Sequence, residues 1–465
     1  MAAVHPLGGN FIATQFNSDI QSFVTSTCRP ITYFSILSVA GPIVLSNLST
    51  PLLGIIDTGI VGQLGDPAQI GAVAVGAMIF NFIYWGLGFL RMGTTGQTAQ
   101  AFGASNEDEM RLALFRPALI AFVLGLLIVL LQPLICWAAF SLVTPTFAVE
   151  SGAREYFSIR IWSAPFTLFN MVLLGWFIGR QKAHLTLLLQ LFLNGTNALL
   201  DAVFVLHMGW GVEGIAIGTV IAEVAAAVVG CLLVVRQLGQ GRGKIDYGSI
   251  LEWPALRKTL TVNRHLMVRT FFIVFVFAFF TAKSAESGET LLAANTILMH
   301  FVLFTAYLLD GFAFAAETFV GEAIGMGSRN RLQQCINLSS VLSGVTASIV
   351  SFGIYCSGSL IIDLLTVNPE VRLEGRIYLD WLAVLPLVSF WCWQLDGIFI
   401  GALRTEPMQN ATFWAWCGFM ASWTILQDHG NHGLWLTMTL FNIMRGVFLG
   451  WHLPSLVRSI PQARA

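Results

Sequence analysis

The chain has 465 residues, of which 56% are hydrophobic and 11% are charged. Because about 25% of the residues in an average soluble domain are charged, 24 basic and 25 acidic side chains are too few to cover a soluble protein of this length. The apolar content excludes a disordered chain, and the formal net charge of −1 disfavours a nucleic-acid partner. The composition therefore predicts a polytopic membrane protein.

Twelve segments are apolar over about the 20 residues that a membrane-spanning helix requires. We number them as spans 1–12, at approximately 31–64, 70–92, 112–140, 157–179, 184–207, 212–236, 261–282, 291–315, 334–358, 377–402, 411–427 and 432–452. Helices are expected because lipid offers no water to backbone polar groups. The predicted fold class is an all-α membrane protein with twelve transmembrane helices.

The Lys and Arg residues predict the orientation, because they concentrate in cytoplasmic loops. With the N-terminus inside, seventeen of the 24 fall at inner ends and loops, and Arg269 and Arg445 fall within spans. The five at outer ends are Arg154, Arg160, Lys283, Arg372 and Arg376. This bias predicts that both termini are cytoplasmic and that the protein lies in the inner membrane of the cell.

The longest inner loop is basic and Gly-rich and divides the chain into two sets of six spans. The predicted organisation is a cytoplasmic tail (1–30), an N-lobe (31–236), a cytoplasmic loop (237–260), a C-lobe (261–452) and a second cytoplasmic tail (453–465).

Two motifs occur in both lobes at the same offset of 222 residues. GWFIG at 175–179 resembles GIFIG at 397–401, and QAFG at 100–103 resembles EAIG at 322–325. A shared offset indicates duplication, and six spans per copy give both copies the same orientation, related by an axis along the membrane normal. Two such lobes enclose a central cavity, as in a transporter.

Acidic residues within the spans of the N-lobe occur at one predicted depth. Asp57 in span 1 and Asp201 in span 5 lie eight or nine residues before outer turns, and Thr219 in span 6 lies about eight residues after one. At 1.5 Å per residue, all three are about 12–14 Å below the outer surface. Asn197 shares a helix face with Asp201 because the two are four residues apart. We therefore expect these four side chains to form one polar site.

Two interpretations of this site remain open. Each acid could be held by a hydroxyl or amide group and serve only to join helices. Alternatively, burial and a neighbouring carboxylate favour the protonated form, so that the pair could hold a proton and release it when a cation arrives. The same oxygen atoms could also bind Na⁺.

The C-lobe contains a different set of acids: Asp310 and Glu317 in span 8 and Asp396 in span 10. Asp310 and Glu317 share a helix face, and we expect either a polar site or a packed seam that pairs with Arg269. The position 222 residues after Asp57 is Phe279, so the acid site of the N-lobe was not duplicated. No phosphate-binding loop is present, and we expect no cofactor and transport driven by an ion gradient.

These residues resemble the multidrug and toxic compound extrusion (MATE) family, in its DNA-damage-inducible F (DinF) branch. The resemblance covers about residues 31–452. It rests on Pro42 with PLLGIIDT (51–58), LRMGTTGQTAQAFG (90–103), LLGW (173–176), NALLD (197–201), LDGFAFAAE (309–317) and LDGIFIG (395–401).

The resemblance implies cation-coupled export of amphipathic, often cationic, compounds by two six-helix lobes around a V-shaped cavity. It implies that Asp57, Asn197, Asp201 and Thr219 form a cation site and that span 1 bends at Pro42 when the site is protonated. Span 7 contains no Asp or Glu, which disfavours the sodium site of another branch and favours protons.

We therefore predict a proton-coupled multidrug antiporter, not an enzyme, that acts as a monomer in the lipid bilayer on small organic cations. The alternatives are a Na⁺-coupled antiporter that uses the same site and a flippase for lipid-linked precursors. A flippase would need basic residues in the cavity to meet phosphate, and only Arg269 and Arg445 lie within spans.

Overall fold

The structure is a computed structural model that describes residues 30–63, 66–143, 146–238 and 247–461. These residues form helices and no β-strand. Nearly all of the predicted N-terminal tail, residues 239–246 of the loop between the lobes and the last four residues of the chain lie outside the described residues.

The first lobe contains six spans, and several of their helices are interrupted. Span 1 is Tyr33–Gly62, span 2 is Pro67–Gly86 followed by Phe89–Gly103, span 3 is Glu107–Leu130 followed by Gln132–Leu142, span 4 is Phe147–Arg160 and Ala164–Gly179 joined by the 3₁₀ turn Ile161–Ser163, span 5 is Ala183–Asp201 followed by the π-helical turn Ala202–His207, and span 6 is Val212–Leu238.

The second lobe repeats this order. Span 7 is Trp253–Glu286, span 8 is Glu289–Gly325, span 9 is Arg329–Leu365 followed by Pro369–Ile377, span 10 is Leu379–Gly401, span 11 is Thr405–Leu426, and span 12 is Gly430–Gly450. The short helices Tyr247–Ile250 and Leu453–Arg458 precede span 7 and follow span 12.

Eleven helical stretches in the described residues are long and apolar enough to cross a membrane. The last stretch, Thr405–Arg458, contains both span 11 and span 12, separated by the turn Gln427–His429. The chain therefore crosses the membrane twelve times, and the predicted all-helical, two-lobe fold class is confirmed. Large apolar side chains such as Phe34, Leu142 and Phe271 are exposed on the outer faces of the helices, where lipid would cover them.

Several helices are longer than the predicted spans. Span 4 begins at Phe147, ten residues before its predicted start, and span 7 begins at Trp253 within the predicted cytoplasmic loop. Charged residues at these ends lower the hydropathy without ending the helix, because a helix forms its backbone hydrogen bonds in water as well as in lipid. We call the side on which span 1 begins the inner side.

Glycines of the repeated motifs hold each lobe together in the same way. In the N-lobe, a Cβ atom at Gly175 would lie 2.5 Å from the carbonyl oxygen of Arg91. In the C-lobe, a Cβ atom at Gly397 would lie 2.2 Å from the carbonyl oxygen of Ala313, and these two residues also lie 222 positions after their counterparts. The absence of a side chain lets two backbones approach each other in both lobes.

The other repeated motif joins the lobes to each other. A Cβ atom at Gly103 would lie 2.1 Å from the carbonyl oxygen of Glu322, and one at Gly325 would lie 2.1 Å from the carbonyl oxygen of Gln100. This reciprocal contact exchanges equivalent positions of the two repeats, as a two-fold axis requires. It joins the inner ends of spans 2 and 8.

Candidate functional site

The two predicted acids of the N-lobe meet inside the lobe. Asp57 lies in span 1, and Asp201 lies at the end of the α-helical part of span 5. Their carboxyl groups are within hydrogen-bonding reach of each other. Asp201 is fully buried, and Asp57 is half-buried. The equal depth that the helical rise predicts therefore corresponds to direct contact.

An amide and a hydroxyl group complete the predicted set of four residues. Asn197 Nδ2 lies 3.0 Å from Asp201 Oδ2, to which it donates a hydrogen bond, and 3.4 Å from Thr219 Oγ1. The Thr219 hydroxyl donates to the carbonyl oxygen of Ile215 at 2.9 Å, which leaves its oxygen lone pairs directed toward Asn197. Spans 1, 5 and 6 thus contribute to one buried polar site.

The contact between the carboxyl groups carries chemical information. The Oδ1 atoms of Asp57 and Asp201 are both buried and accept no hydrogen bond from a described protein donor. Two carboxyl groups can form a hydrogen bond with each other only when one of them carries a proton. The geometry therefore fits a pair of acids that holds at least one proton, and two ionised carboxylates here would leave both oxygens without a donor.

The local backbone shapes the space around Asp201. The π-helical turn Ala202–His207 begins directly after this residue, and such turns are frequent at functional sites. On span 6, Gly218 faces the same carboxyl group, because a Cβ atom there would lie 2.3 Å from Asp201 Oδ1. Only glycine leaves room for the carboxyl group at this position.

A buried arginine beside the acid pair was not predicted as part of the site. Arg160 of span 4 donates a hydrogen bond from Nη1 to the Tyr156 hydroxyl at 2.5 Å, and its guanidinium lies over the Phe80 ring at 5.0 Å. Its charge acts on both Asp57 and Asp201. The sequence analysis assigned Arg160 to an outer end because the predicted span 4 began at 157, whereas the helix begins at Phe147.

A third acid in the N-lobe was also missed. Glu223 of span 6 is buried and accepts a hydrogen bond from Asn170 Nδ2 of span 4 at 2.7 Å. Arg160 also acts on Glu223 electrostatically. The sequence contained the necessary signal, because Glu223 lies four residues after Thr219 in an apolar segment and therefore on the same helix face.

The predicted hinge lies within a continuous helix. Span 1 is helical from Tyr33 to Gly62 through both Pro42 and Pro51. Each proline lacks the backbone N–H that would bond to the preceding turn, which weakens the helix there. Beside Pro42, span 1 packs closely on span 8, since a Cβ atom at Gly311 would lie 2.3 Å from Val44 Cγ2.

In the C-lobe, Asp396 is paired with both intramembrane arginines. Arg445 Nη2 of span 12 lies 2.6 Å from Asp396 Oδ2, and Arg269 Nη2 of span 7 donates to the same oxygen. All three side chains are buried. The seam that the sequence analysis considered, in which span 8 pairs with Arg269, is not formed, because Arg269 bonds to span 10.

The two acids of span 8 have different surroundings. Glu317 is buried and forms an ion pair with Arg91 Nη1 of span 2 at 3.4 Å, which joins the two lobes. The Arg91 guanidinium also lies 3.7 Å from the centre of the Phe314 ring. Asp310 lines a cavity of about 190 Å³ at the junction of the lobes, and the same cavity is lined by Asp396 and Glu317. The three predicted acids of the C-lobe thus surround one cavity.

Comparison with known proteins identifies the fold family. The MatE family model matches residues 42–203 and 266–420, one stretch in each lobe. The chain belongs to the MatE family.

Individual MatE relatives narrow the assignment. DNA damage-inducible protein F of Escherichia coli is 38% identical over 429 residues, which is 92% of both chains. The probable multidrug resistance protein NorM of Rhizobium meliloti is 23% identical and covers 94% of this chain and 96% of its own. The predicted resemblance to the MATE family and its DinF branch is therefore confirmed.

A solved structure agrees with the fold. An outward-facing multidrug resistance MATE transporter of the MOP superfamily superimposes with a TM-score of 0.83 at 18% identity, covering 93% of this chain and 97% of its own. The MatE relatives named here are transporters rather than enzymes. This chain is a multi-pass membrane protein of the same family, whose multidrug members handle small organic substrates.

Proposed function

We propose that the protein is a proton-coupled multidrug antiporter that exports amphipathic, mostly cationic organic compounds. The observation that carries the proposal is the contact between the buried carboxyl groups of Asp57 and Asp201, with Asn197 as donor and Thr219 beside it. Such a pair attracts an organic cation when ionised and loses that attraction when protonated. Proton binding and cargo binding therefore exclude each other, which is the requirement for antiport.

The transport cycle follows from this exclusion. Protons load Asp57 and Asp201 from the outer side, the neutralised site releases its cargo outward, and span 1 bends at Pro42. The protonated site then returns inward. Contacts between the inner halves of the lobes support an outward-opening arrangement: Gln100 Nε2 donates to the carbonyl oxygen of Gly401 at 3.0 Å, and Thr318 Oγ1 donates to that of Ile178 at 3.1 Å.

The membrane context belongs to the same proposal. We place the protein in the inner membrane of the cell as a monomer with both termini in the cytoplasm, as the distribution of Lys and Arg favours. The energy source is the proton gradient, and no cofactor is required. Na⁺ at the oxygen atoms of the same four residues is the competing assignment.

The test uses purified full-length protein in lipid vesicles that contain a cationic dye. A pH gradient, a Na⁺ gradient at equal pH on both sides, or neither is imposed, and dye movement and internal pH are recorded together. We expect the pH gradient alone to drive dye transport with opposite movement of protons. Asp57→Asn and Asp201→Asn should each reduce this exchange to the level of empty vesicles, because the amide does not titrate.

Asp380→Asn is the matched control, since Asp380 is an exposed acid in the first turn of span 10. Normal pH-driven exchange in both site variants would disprove the assigned site. Transport driven by Na⁺ without a pH gradient would replace protons with Na⁺ as the coupling ion.

A further inference from the structure

The cavity at the junction of the lobes combines an aromatic wall with fixed charges. Its volume is about 190 Å³. Five aromatic side chains line it: Trp85, Phe277, Phe314, Trp393 and Phe441. Asp310, Asp396, Arg269 and Arg445 also line it, so one small space offers flat apolar surfaces and charges of both signs.

The positive charges at one end of the cavity exceed the negative charge that they share. Arg269 and Arg445 both donate to a single oxygen, Asp396 Oδ2, so two guanidinium groups share one carboxylate. The side chain of Arg269 is 7% exposed, and its Nε atom is buried without a hydrogen-bond partner among the described residues. This end of the cavity carries one uncompensated positive charge and an unused donor.

The other end of the cavity carries a negative charge. Within the described part of the chain, the Asp310 carboxylate forms no ion pair closer than 4 Å, and it interacts with the arginines only over longer distances. Glu317 does not alter this balance, because Arg91 neutralises it. The cavity therefore has a positive end at Asp396 and a negative end at Asp310.

An uncompensated buried charge is costly unless a counter-ion approaches it. A guanidinium group binds carboxylates with particular strength, since its donors match the geometry of two oxygen atoms. The aromatic walls suit a flat, delocalised cation, and Asp310 supplies its counter-charge. The ligand that satisfies both ends is a zwitterion in which an aromatic cation carries a carboxylate.

We propose that this cavity is a binding subsite for zwitterionic aromatic compounds, in which Arg269 and Arg445 bind the acidic group of the cargo and Asp310 faces its cationic part. The inference rests on the proposed export function and adds a class of cargo to it.

The test compares two dyes that share one cationic ring system. Rhodamine B has a free carboxylate and is a zwitterion, whereas its ethyl ester is a cation only. Vesicles that contain the full-length protein are given a pH gradient, and the half-saturating concentration of each dye is measured. We expect Arg269→Gln and Arg445→Gln each to shift the preference for the acid over the ester by about tenfold toward the ester, the loss typical of a hydrogen bond to a charged group.

A second variant predicts a shift in the opposite direction. Asp396→Asn removes the carboxylate that occupies both arginines, so the preference for rhodamine B over its ester should increase several-fold. Arg445→Lys should retain part of the preference because it keeps the charge. Arg154→Gln, at an exposed arginine of span 4, is the control that should leave the preference unchanged. Elution of each variant as a single species in size-exclusion chromatography establishes that it is folded.

The outcomes separate this inference from the proposed function. If the parent protein exports the ester but the arginine variants do not change the preference between dyes, or if Asp396→Asn lowers the preference for the acid, the subsite is disproved and the export function stands. If the parent protein exports neither dye under a pH gradient, both proposals fail.

Discussion

The interiors of the N-lobe and the C-lobe carry different charges although their helices pack alike. In the N-lobe, Asp57, Asp201 and Glu223 face the single guanidinium of Arg160, so acids are in excess. One of the acids, Glu223, lies 222 residues before Arg445. At the spacing of the repeat, an acid in one lobe thus corresponds to a base in the other.

In the C-lobe, the excess is reversed around Asp396, which binds both Arg269 and Arg445. An acid that two guanidinium groups hold is a poor site for exchangeable protons, because both neighbours stabilise its ionised form. The difference indicates that the lobes divided their roles after duplication: the N-lobe provides the exchangeable acid pair, and the C-lobe provides fixed charges that line the cavity.

The packing did not diverge in this way. Gly179 and Gly401 lie at equivalent positions, where a Cβ atom would meet the carbonyl oxygens of Thr95 at 2.7 Å and Glu317 at 2.3 Å, respectively. A backbone contact of this kind permits no side chain, whereas a residue that faces a cavity can change its charge without moving a helix. Duplication therefore retained the contacts between helices and left the charged residues free to change.

The sharpest test of this division in the N-lobe is Gly218→Ala. The new methyl group would lie 2.3 Å from Asp201 Oδ1, so it must displace the carboxyl group from Asn197 and Asp57. We expect pH-driven export to fall by at least about tenfold, in proportion to an overpacking cost of about 1–3 kcal/mol. Initial rates of dye export in vesicles measure the effect.

Gly195→Ala is the matched control on span 5, because a Cβ atom there would meet no atom within 4 Å. It should preserve export and stabilise the helix by about 0.5–1 kcal/mol. Equal export by the Gly218 variant and this control would show that the position of the Asp201 carboxyl group does not determine the rate.

A smaller effect is expected from testing whether the two lobes pack equivalently. Gly179→Ala and Gly401→Ala should each destabilise the protein by about 1–3 kcal/mol, since each forces a methyl group against a backbone carbonyl. Thermal unfolding in detergent, followed by tryptophan fluorescence, provides the comparison. Gly353→Ala serves as the reference because its Cβ atom would have open space, and a lowered melting temperature in only one of the two variants would contradict equivalent packing.

The smallest effect is expected for Glu223→Gln. Glutamine keeps an oxygen that can accept the hydrogen bond from Asn170, which measures 2.7 Å to Glu223 Oε2, and removes only the charge. We expect export to decrease no more than a few-fold, in contrast to Asp201→Asn. Glu213→Gln, at the exposed outer end of span 6, is the control. Complete loss of proton exchange in the Glu223 variant would make this residue a third member of the coupling site.

Much of this protein could be predicted from its sequence because helical geometry is regular. The number of crossings and the 222-residue repeat follow from composition and spacing. The fixed rise of a helix placed Asp57, Asp201 and Thr219 at one depth, and the three side chains lie together in the structure. Arg160 was missed because hydropathy alone does not show that the span 4 helix continues to Phe147.

The sequence by itself determined that the chain is a membrane protein, where along each helix its acids lie and which glycines recur. Tertiary structure alone decided that Asp396 binds Arg269 and Arg445, and that Glu317 binds Arg91 of the other lobe. The physical reason is that the helical rise fixes the depth of a residue, whereas the rotation of each helix and the identity of its neighbour are set by packing between helices. The charge partners, and with them the polarity of the cavity, depend on that packing.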